Sequence, residues 1–399
     1  MCPNRITVFS NFFWPEGAGA DVATRAIMKT LLRERFGIVV VSGTSTPRTD
    51  DLQALQYFHW RLLEERVKPL EWVMLFANIG TVKKFIEQSD VVYIPSHSLI
   101  PLAIIVRRIK PNARIVIHLH GYQPISYNAV MWSNGRKVNA DQVLFELLDH
   151  NSLSRALVTG LLIPANYINV LALKQADTIL FVSRRQMKIV TARLPWVRSK
   201  AVVIPNIPPE IHYAEKNPSS MPTLLYMGGS SILKGFQLVL KAGLTLSKDE
   251  PKLKVVITNR ISDRANKTIA ELNRKCTTFY ALGRIDHKDI LALLCRAWCL
   301  LFPSLWEEPF GYAVMEAMLS GTIPIASRTG GTPELMEGTA AEDYLFEPGN
   351  LDQLVERIES VLSFPKEGIV NIGQKIREQT LRKLENEDSE KTLLRVFAS

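Results

Sequence analysis

Residues 303–318 read PSLWEEPFGYAVMEAM, and residues 321–334 read GTIPIASRTGGTPE. The first stretch follows an apolar run that ends at Phe302, and it predicts a strand, a loop and a helix that begins near Gly311. The first turn of a helix leaves backbone N–H groups without intrahelical partners and carries the positive end of the helix dipole. The N–H groups around Phe310–Tyr312 are therefore suited to bind a diphosphate.

Two glutamates lie eight residues apart in this stretch, Glu308 in the loop and Glu316 in the helix. Carboxylates beside a phosphate site are repelled by the phosphates, but they accept hydrogen bonds from hydroxyl groups. We predict that the pair holds hydroxyl groups, as in a sugar and a ribose. The alternative is an ordinary strand–loop–helix with two surface glutamates.

The same alternation of short apolar runs and helical segments continues along the 399 residues. It predicts right-handed βαβ connections and parallel sheets. The pattern starts again after a polar, proline-bearing stretch at 207–221, so we predict an α/β fold of two tandem doubly wound, Rossmann-like domains, with a charged amphipathic helix at about 374–397. The predicted strands are 6–10, 38–42, 91–94, 114–119, 178–182, 202–205, 223–227, 254–257, 278–282, 299–302 and 322–326.

The net charge of +9 is unevenly distributed. Residues 1–200 carry 25 Lys and Arg against 14 Asp and Glu, whereas residues 201–399 carry 23 against 25. A basic first half indicates an anionic partner, either a membrane surface or a phosphorylated acceptor, unless the basic helices are simply solvated. No nucleic-acid-binding motif accompanies the charge, so we expect no nucleic-acid partner.

The four cysteines show neither zinc-ligand spacing nor a disulfide framework, and Cys295 and Cys299 are predicted to be packed core thiols. We expect no secretory leader at the N-terminus. The most apolar segment, 156–173, contains Pro164 and two asparagines, and it predicts a buried or interfacial helix pair rather than a membrane span. We therefore expect a cytoplasmic protein, peripheral at the membrane through its basic half.

The 303–334 stretch resembles the E-x7-E signature of glycosyltransferase family 4. The resemblance implies a GT-B fold, in which an acceptor-side domain (1–208) and a nucleotide-sugar-binding domain (209–375) face an interdomain cleft. It also implies that a C-terminal helix, 376–399, packs back on the first domain. The activity implied is that of a retaining hexosyltransferase, which moves a sugar from a nucleoside-diphosphate donor to an acceptor.

Further motifs extend the resemblance along the chain. Gly17 and Gly19 match the family's N-terminal glycine loop near the donor phosphates, and His120 matches a histidine beside the reacting sugar; alternatively, His120 is a satisfied core residue. In the second half, Lys234 matches the lysine that contacts the donor diphosphate, and Arg284 lies in the region that approaches the base. The resemblance also implies that Glu308 holds donor-sugar hydroxyls and that Glu316 holds the ribose. The predicted catalytic groups are Glu308, His120 and Lys234. The predicted donor-binding residues are Gly17, Gly19, Gly229, Lys234, Arg284, Glu308, Phe310, Gly311, Tyr312 and Glu316.

One position departs from the family pattern. Gly229 stands where the family usually has an arginine, and Arg260 or Arg284 could compensate for the missing cation. The departure leaves a non-catalytic nucleotide-sugar-binding subunit as an alternative. A sugar-nucleotide epimerase or a phosphorylase on a similar fold is the other alternative.

The sequence contains no Asp-x-Asp motif of the kind that holds a divalent ion in other sugar transferases. We therefore expect no essential metal and no cofactor, with Lys234 and the helix N-termini neutralising the leaving diphosphate. The resemblance implies front-face attack with retention of configuration. The apolar segments and the basic first half favour a lipid-linked or membrane-surface acceptor, whereas the donor nucleotide and sugar stay open.

Overall fold

The computed structural model describes residues 5–17, 19–49, 52, 54–64, 68–133, 138–208, 215–275, 278–386 and 388–398. The chain forms two compact units. Unit 1 comprises Met1–Val130, Val158–Glu210 and Asp388–Ser399, and unit 2 comprises Met131–Leu157 and Ile211–Glu387.

Unit 1 is built on a parallel seven-stranded sheet in the order β3-β2-β1-β4-β5-β6-β7. Its inner strands consist mostly of buried residues, because helices cover both faces of such a sheet, whereas the two edge strands have only exposed or half-buried residues. The strands are β1 Arg5–Ser10, β2 Gly37–Ser42, β3 Gln56–His59, β4 Val91–Ile94, β5 Arg114–Leu119, β6 Thr178–Phe181 and β7 Ala201–Val203.

Unit 2 repeats this plan with a parallel six-stranded sheet in the order β10-β9-β8-β11-β12-β13. In both sheets the strand order reverses direction beside the first strand, and ligands of doubly wound folds bind beyond the carboxyl ends of the strands at that point. The strands are β8 Thr223–Tyr226, β9 Lys254–Thr258, β10 Phe279–Gly283, β11 Cys299–Phe302, β12 Ile323–Ser327 and β13 Leu345–Phe346.

The α-helices connect these strands and pack on the two sheets. In chain order they are α1 Gly19–Arg33, α2 Lys68–Ala77, α3 Ile79–Ile86, α4 Leu102–Ile109, α5 Val138–Leu148, α6 Leu153–Leu162, α7 Tyr167–Gln175, α8 Arg184–Arg193, α9 Phe236–Leu246, α10 Asp263–Asn273, α11 His287–Arg296, α12 Tyr312–Leu319, α13 Thr332–Met336, α14 Leu351–Leu362, α15 Lys366–Asn386 and α16 Ser389–Ala398.

The predicted α/β class with two Rossmann-like sheets is confirmed. All eleven predicted strands are present, with ends shifted by at most two residues. Two short strands were missed. β3 carries exposed residues at three of its four positions, and β13 has only two residues, so neither shows a strand-like apolar pattern.

The single helix predicted at about 374–397 is wrong, because the segment forms two helices, α15 and α16. α15 lies in unit 2, where it packs against α12 and buries Ile369 and Ile376. Only α16 belongs to unit 1, where the ring of Phe397 packs edge-on against Tyr93 at 5.2 Å between centroids. The bounds of the units thus differ from the sequence-based division in residues 376–387, and also in 131–157, which belong to unit 2.

Cys295 and Cys299 are buried free thiols, as predicted, and burial raises the pKa of Cys299 to about 12. Cys2 and Cys276 lie outside the described residues. The predicted helix pair is present as α6 and α7, which are joined by a 3-10 turn at Ile163–Asn166. By length and composition alone, Leu153–Gln175 could cross a membrane, with 33% of the window buried, but core helices and signal sequences satisfy the same criteria.

Candidate functional site

Two loops of unit 2 carry five of the eleven predicted site residues. One follows β8 and contains Gly229 and Lys234; the other follows β11 and contains Glu308. Because β8 and β11 are parallel neighbours, their carboxyl ends meet at one edge of the sheet. The Leu305 N–H donates to the Leu233 carbonyl at 2.7 Å, so the two loops are directly bonded to each other.

Lys234 and Glu308 form an ion pair at this edge, with 2.5 Å between Nζ and Oε2. The same carboxylate oxygen accepts a hydrogen bond from the Trp306 indole N–H at 2.7 Å. The Lys234 ammonium also lies 5.0 Å from the centroid of the Trp306 ring and 5.6 Å from that of Phe302, within cation–π range. The lysine side chain is 34% exposed, so a ligand can still reach its remaining protons.

The start of α12 lies directly after this loop, as predicted. Gly311 precedes the helix and has a left-handed backbone conformation, with a φ of 87°. Residues with a side chain rarely adopt this conformation. The Val314 and Met315 N–H groups donate back to the Gly311 carbonyl, and the preceding N–H groups have no acceptor within the helix. Phe310 is buried and anchors the turn, whereas Tyr312 begins the helix and is half-buried.

A second glycine-containing turn, at Gly330 and Gly331, contacts the backbone of Glu308. The Gly331 N–H donates to the Glu308 carbonyl at 2.8 Å, and a Cβ at Gly330 would lie 1.7 Å from that same oxygen. The neighbouring buried carboxylate, Glu307, accepts from the Gly330 N–H at 3.0 Å. The loop that carries Glu308 is therefore held by backbone contacts that only glycine permits.

Glu316 is buried within α12, where its Oε1 lies 2.6 Å from Nε2 of His287 at the start of α11. The hydrogen bond to Glu316 raises the pKa of His287 above its usual value, whereas burial acts in the opposite direction. The sequence analysis did not identify His287. The two residues are 29 positions apart in the sequence, and no motif considered in the sequence analysis contains both.

The backbone at Gly229 explains why no side chain occupies the position where an arginine was expected. Gly229 has a φ of 59°, and a Cβ would lie 2.3 Å from the carbonyl oxygen of Arg260. That carbonyl also accepts from the Ser230 N–H at 3.1 Å, so it cannot withdraw without cost. Arg260 itself follows β9, the neighbouring strand, and is exposed.

Arg284 is further away. It follows β10, which is separated from β8 by β9, so its Cα lies on the order of 10 Å from the loop after β8. Its side chain is exposed. Of the two arginines considered as compensating cations, Arg260 is therefore the one adjacent to the glycine-rich loop.

Unit 1 contains His120, which follows β5 and packs against His118 with 4.1 Å between ring centroids. Burial lowers the pKa of His120 to about 4 and lowers the pKa of His118 well below its usual value. The hydroxyl oxygen of Tyr93 lies 2.8 Å from Nδ1 of His118. The imidazole of His120 is thus neutral at pH 7, and its buried Nε2 has no partner among the described residues.

A buried amide holds the turn that carries His120. Nε2 of Gln186, in α8, donates to the Leu119 and Gly121 carbonyls at 2.9 Å each. Its Oε1 accepts from the Val182 N–H at 3.0 Å, so the end of β6 is tied to the same side chain. The histidine therefore lies on a rigid turn.

Gly17 and Gly19 lie between β1 and α1 of the same unit, and α1 begins at Gly19. Gly17 has a φ of 98°, and a Cβ there would collide with the side chain of Asp21. Since β4 lies between β1 and β5, this turn and His120 share the carboxyl edge of the sheet at a separation on the order of 10 Å. Residue 18 lies outside the described residues.

Comparison with known proteins agrees with this geometry. Residues 209–379 match the family model described as glycosyl transferases group 1. The match covers the loops after β8 and β11, α12 and most of α15, and it therefore includes every predicted site residue of unit 2.

Matches to individual proteins are of low sequence identity or cover only part of the chain. Over 136 residues the chain is 32% identical to an MMP α-(1→4)-mannosyltransferase of Mycolicibacterium hassiacum, a match that covers 34% of this chain and 33% of that protein. The chain thus aligns with about a third of the length of this curated relative. Two solved structures share the fold over 99% of this chain and 98% of theirs: sucrose-phosphate synthase from Thermosynechococcus elongatus (TM-score 0.74, 16% identity) and Anabaena HepE in complex with UDP-glucose (TM-score 0.66, 16% identity). Together with the two parallel sheets, these likenesses confirm the predicted GT-B fold.

Replacement of Gly229 by alanine or arginine is expected to destabilise unit 2 by about 1–3 kcal/mol, because the new side chain meets a fixed backbone carbonyl at a positive φ. Gly338→Ala is the matched control, since Gly338 also has a positive φ but faces open space. Denaturant unfolding measures both. Equal losses at the two positions would show that the contact with Arg260 is unimportant.

The pair of His287 and Glu316 predicts a pH dependence. Because the pKa of His287 is raised, the stabilisation by its protonated form is complete below the unfolded value and is lost as pH rises through the folded value. The stability difference between wild type and His287→Gln should fall by about 1–2 kcal/mol between about pH 5.5 and about pH 8.5. The measurement is urea unfolding at each pH. His59→Gln, which removes a more exposed pair with Glu64, is the control, and a pH-independent difference for His287 would contradict the prediction.

Proposed function

We propose that this protein is a retaining glycosyltransferase of family 4 that transfers a hexosyl group from a nucleoside-diphosphate sugar to an acceptor. The observation that carries the proposal is the ion pair between Lys234 and Glu308 beside the start of α12. A cation and the N–H groups at a helix N-terminus suit a diphosphate, and a carboxylate within the same few ångströms suits sugar hydroxyls. The match of residues 209–379 to group 1 glycosyltransferases supports this assignment.

In this proposal the donor diphosphate binds against the first turn of α12 and the ammonium of Lys234. Lys234 need not leave Glu308, since an ammonium has three protons and can contact a carboxylate and a phosphate together. As the glycosidic bond to the diphosphate breaks, negative charge grows on the leaving oxygen, and these preorganised donors stabilise it. The proposed reaction needs no metal and no cofactor.

The carboxylates have separate roles. Lys234 and Trp306 both contact Oε2 of Glu308, and Glu308 accepts from hydroxyls of the donor sugar through its other oxygen, Oε1. Glu316 accepts from the ribose, with His287 holding the carboxylate in place. His120, neutral at pH 7, serves as a hydrogen-bonding group at the acceptor side of the reacting carbon rather than as an acid. Gly17 and Gly19 leave room for the donor phosphates.

The acceptor is proposed to be lipid-linked or at a membrane surface, with the protein cytoplasmic and peripheral. One face of α6 exposes Leu153 (67%), Leu157 (62%) and Leu161 (79%), which are spaced four residues apart. Such a row of exposed leucines on one helix matches the apolar face of helices that lie in a membrane interface. The basic first half would add attraction to anionic lipid.

Two alternatives give different outcomes. A non-catalytic subunit would bind a nucleotide sugar and release no product. The glycine at position 229, where the family usually has an arginine, favours this alternative. An epimerase would convert one nucleotide sugar into another without an acceptor.

A panel of uridine, guanosine and adenosine diphosphate sugars distinguishes these functions from a transferase. For each sugar, with chelator present, thermal shift measures binding, and the released nucleoside diphosphate measures turnover. Stabilisation by one donor with release of its nucleoside diphosphate supports the transferase; failure of every donor to bind would contradict it.

Substitution of the two glutamates is expected to separate catalysis from nucleotide binding. Glu308→Ala should lower kcat about 100-fold or more and change nucleoside-diphosphate affinity little, because its hydroxyl contacts matter most in the transition state. Glu316→Ala should weaken nucleoside-diphosphate binding about tenfold, with a smaller effect on kcat. Steady-state kinetics and calorimetric titration with the nucleoside diphosphate measure the two effects.

The control is Glu250→Ala, which removes an exposed carboxylate of unit 2. Equal effects of the two site substitutions on kcat and on affinity would rule out the division of roles. The configuration of the product's new anomeric centre, determined by NMR, tests retention separately.

Membrane contact predicts that Leu157→Ser combined with Leu161→Ser weakens binding to anionic vesicles about tenfold or more, since each buried leucine contributes on the order of 1 kcal/mol or more. Vesicle co-sedimentation at low and high salt measures this. Leu381→Ser, at a leucine 42% exposed on α15, is the matched control. Wild-type protein that fails to bind anionic vesicles at low salt would contradict the proposal.

A further inference from the structure

A segment from the first half of the sequence belongs to unit 2. Met131–Leu157 lies between β5 and β6 of the other unit's sheet, yet it is part of the compact body that contains β8–β13. The segment bonds to both loops of the candidate site, at residues 131–133 and at Asp149. None of the site roles considered so far uses it.

The first contact holds the loop that carries Glu308. Trp132 and Trp306 form an antiparallel bridge. On either side of it, the Ser133 N–H donates to the Leu305 carbonyl at 3.0 Å and the Glu307 N–H donates to the Met131 carbonyl at 2.7 Å. A short strand pairing thus ends one residue before Glu308.

The second contact holds the loop that carries Lys234. Oδ1 of Asp149, just after α5, accepts the Ile232 N–H at 2.6 Å and the Ser231 hydroxyl at 2.9 Å. A carboxylate that accepts a backbone N–H and a hydroxyl makes charge-assisted hydrogen bonds, which are stronger than neutral ones. These bonds fix the backbone two residues before Lys234.

The two contacts reinforce each other, because the Leu305 N–H donates to the Leu233 carbonyl. A continuous set of hydrogen bonds therefore runs from Asp149 through residues 231–233 to Leu305 and Ser133. Loss of one end leaves the glycine-rich loop with more conformations. If the loop adopts its binding conformation in only a fraction of the molecules, the apparent affinity for the ligand falls in proportion to that fraction.

We propose that Asp149 is a positioning residue for the donor diphosphate: it holds the loop at residues 231–232 so that Lys234 is preorganised next to Glu308. Asp149 acts through this loop and does not itself contact the donor. The inference rests on the proposed function, since it takes the diphosphate as the ligand of Lys234.

The test compares Asp149→Ala and Asp149→Asn with wild-type protein. Alanine removes both hydrogen bonds, and we expect it to raise the Kd of the nucleoside diphosphate and the KM of the donor about tenfold, with a smaller change in kcat. Asparagine keeps an oxygen acceptor at the same place, and it should recover most of the lost affinity. Asp249→Ala, at an exposed aspartate after α9, is the matched control.

Ser231→Ala provides a second variant that removes only one donor to the carboxylate, should Asp149→Ala fold poorly. Its effect should be smaller than that of Asp149→Ala, and the double variant should be no weaker than Asp149→Ala alone, because both residues act through one contact. Thermal unfolding of each variant checks that the fold is intact.

The outcomes separate this inference from the proposed function. Wild-type protein that binds no nucleoside diphosphate contradicts the proposed function. Wild-type protein that binds, together with an unchanged Kd in folded Asp149→Ala or Ser231→Ala, overturns the role of Asp149 alone. An equal loss for the asparagine and alanine variants would also overturn it, since the hydrogen-bond geometry would then be irrelevant.

Discussion

Parallel pairing of β8 with β11 is the constraint on which the candidate site depends. The two strands run in the same direction and lie side by side, so the loops after them must leave the sheet at one edge. Lys234 and Glu308 are 74 residues apart in sequence, and this pairing brings them into an ion pair. The same constraint places the first turn of α12 beside them, because α12 starts where the second loop ends.

Charge balance within unit 2 follows from this arrangement. Each of the two predicted carboxylates has its own basic partner: Lys234 for Glu308 and His287 for Glu316. Unpaired carboxylates would repel the proposed diphosphate, and basic partners reduce that repulsion. The basic partners therefore let carboxylates, which suit hydroxyl groups, stand beside a site for phosphates.

The candidate histidine of unit 1 has a different environment. His120 is held by the turn that Gln186 fastens, and it packs against a second buried histidine. Both rings are neutral at neutral pH, with one N–H each, because burial disfavours the charged form of both. A neutral imidazole with an unbonded nitrogen suits a hydrogen bond to a polar ligand, which agrees with the role proposed for it.

Local patterns in the sequence determined the α/β class, the glycine-rich turns and every strand except β3 and β13, because the preferences of apolar runs and glycines act within a few residues. They also identified Glu308 and Glu316 as candidates, and the family resemblance added Lys234. Only the tertiary structure decided the partners: the pairing of His287 with Glu316, and the closed space at Gly229. It also decided that 131–157 joins unit 2 and that the C-terminal segment divides into two helices, since contacts between residues distant in sequence depend on how strands and helices pack rather than on any local spacing.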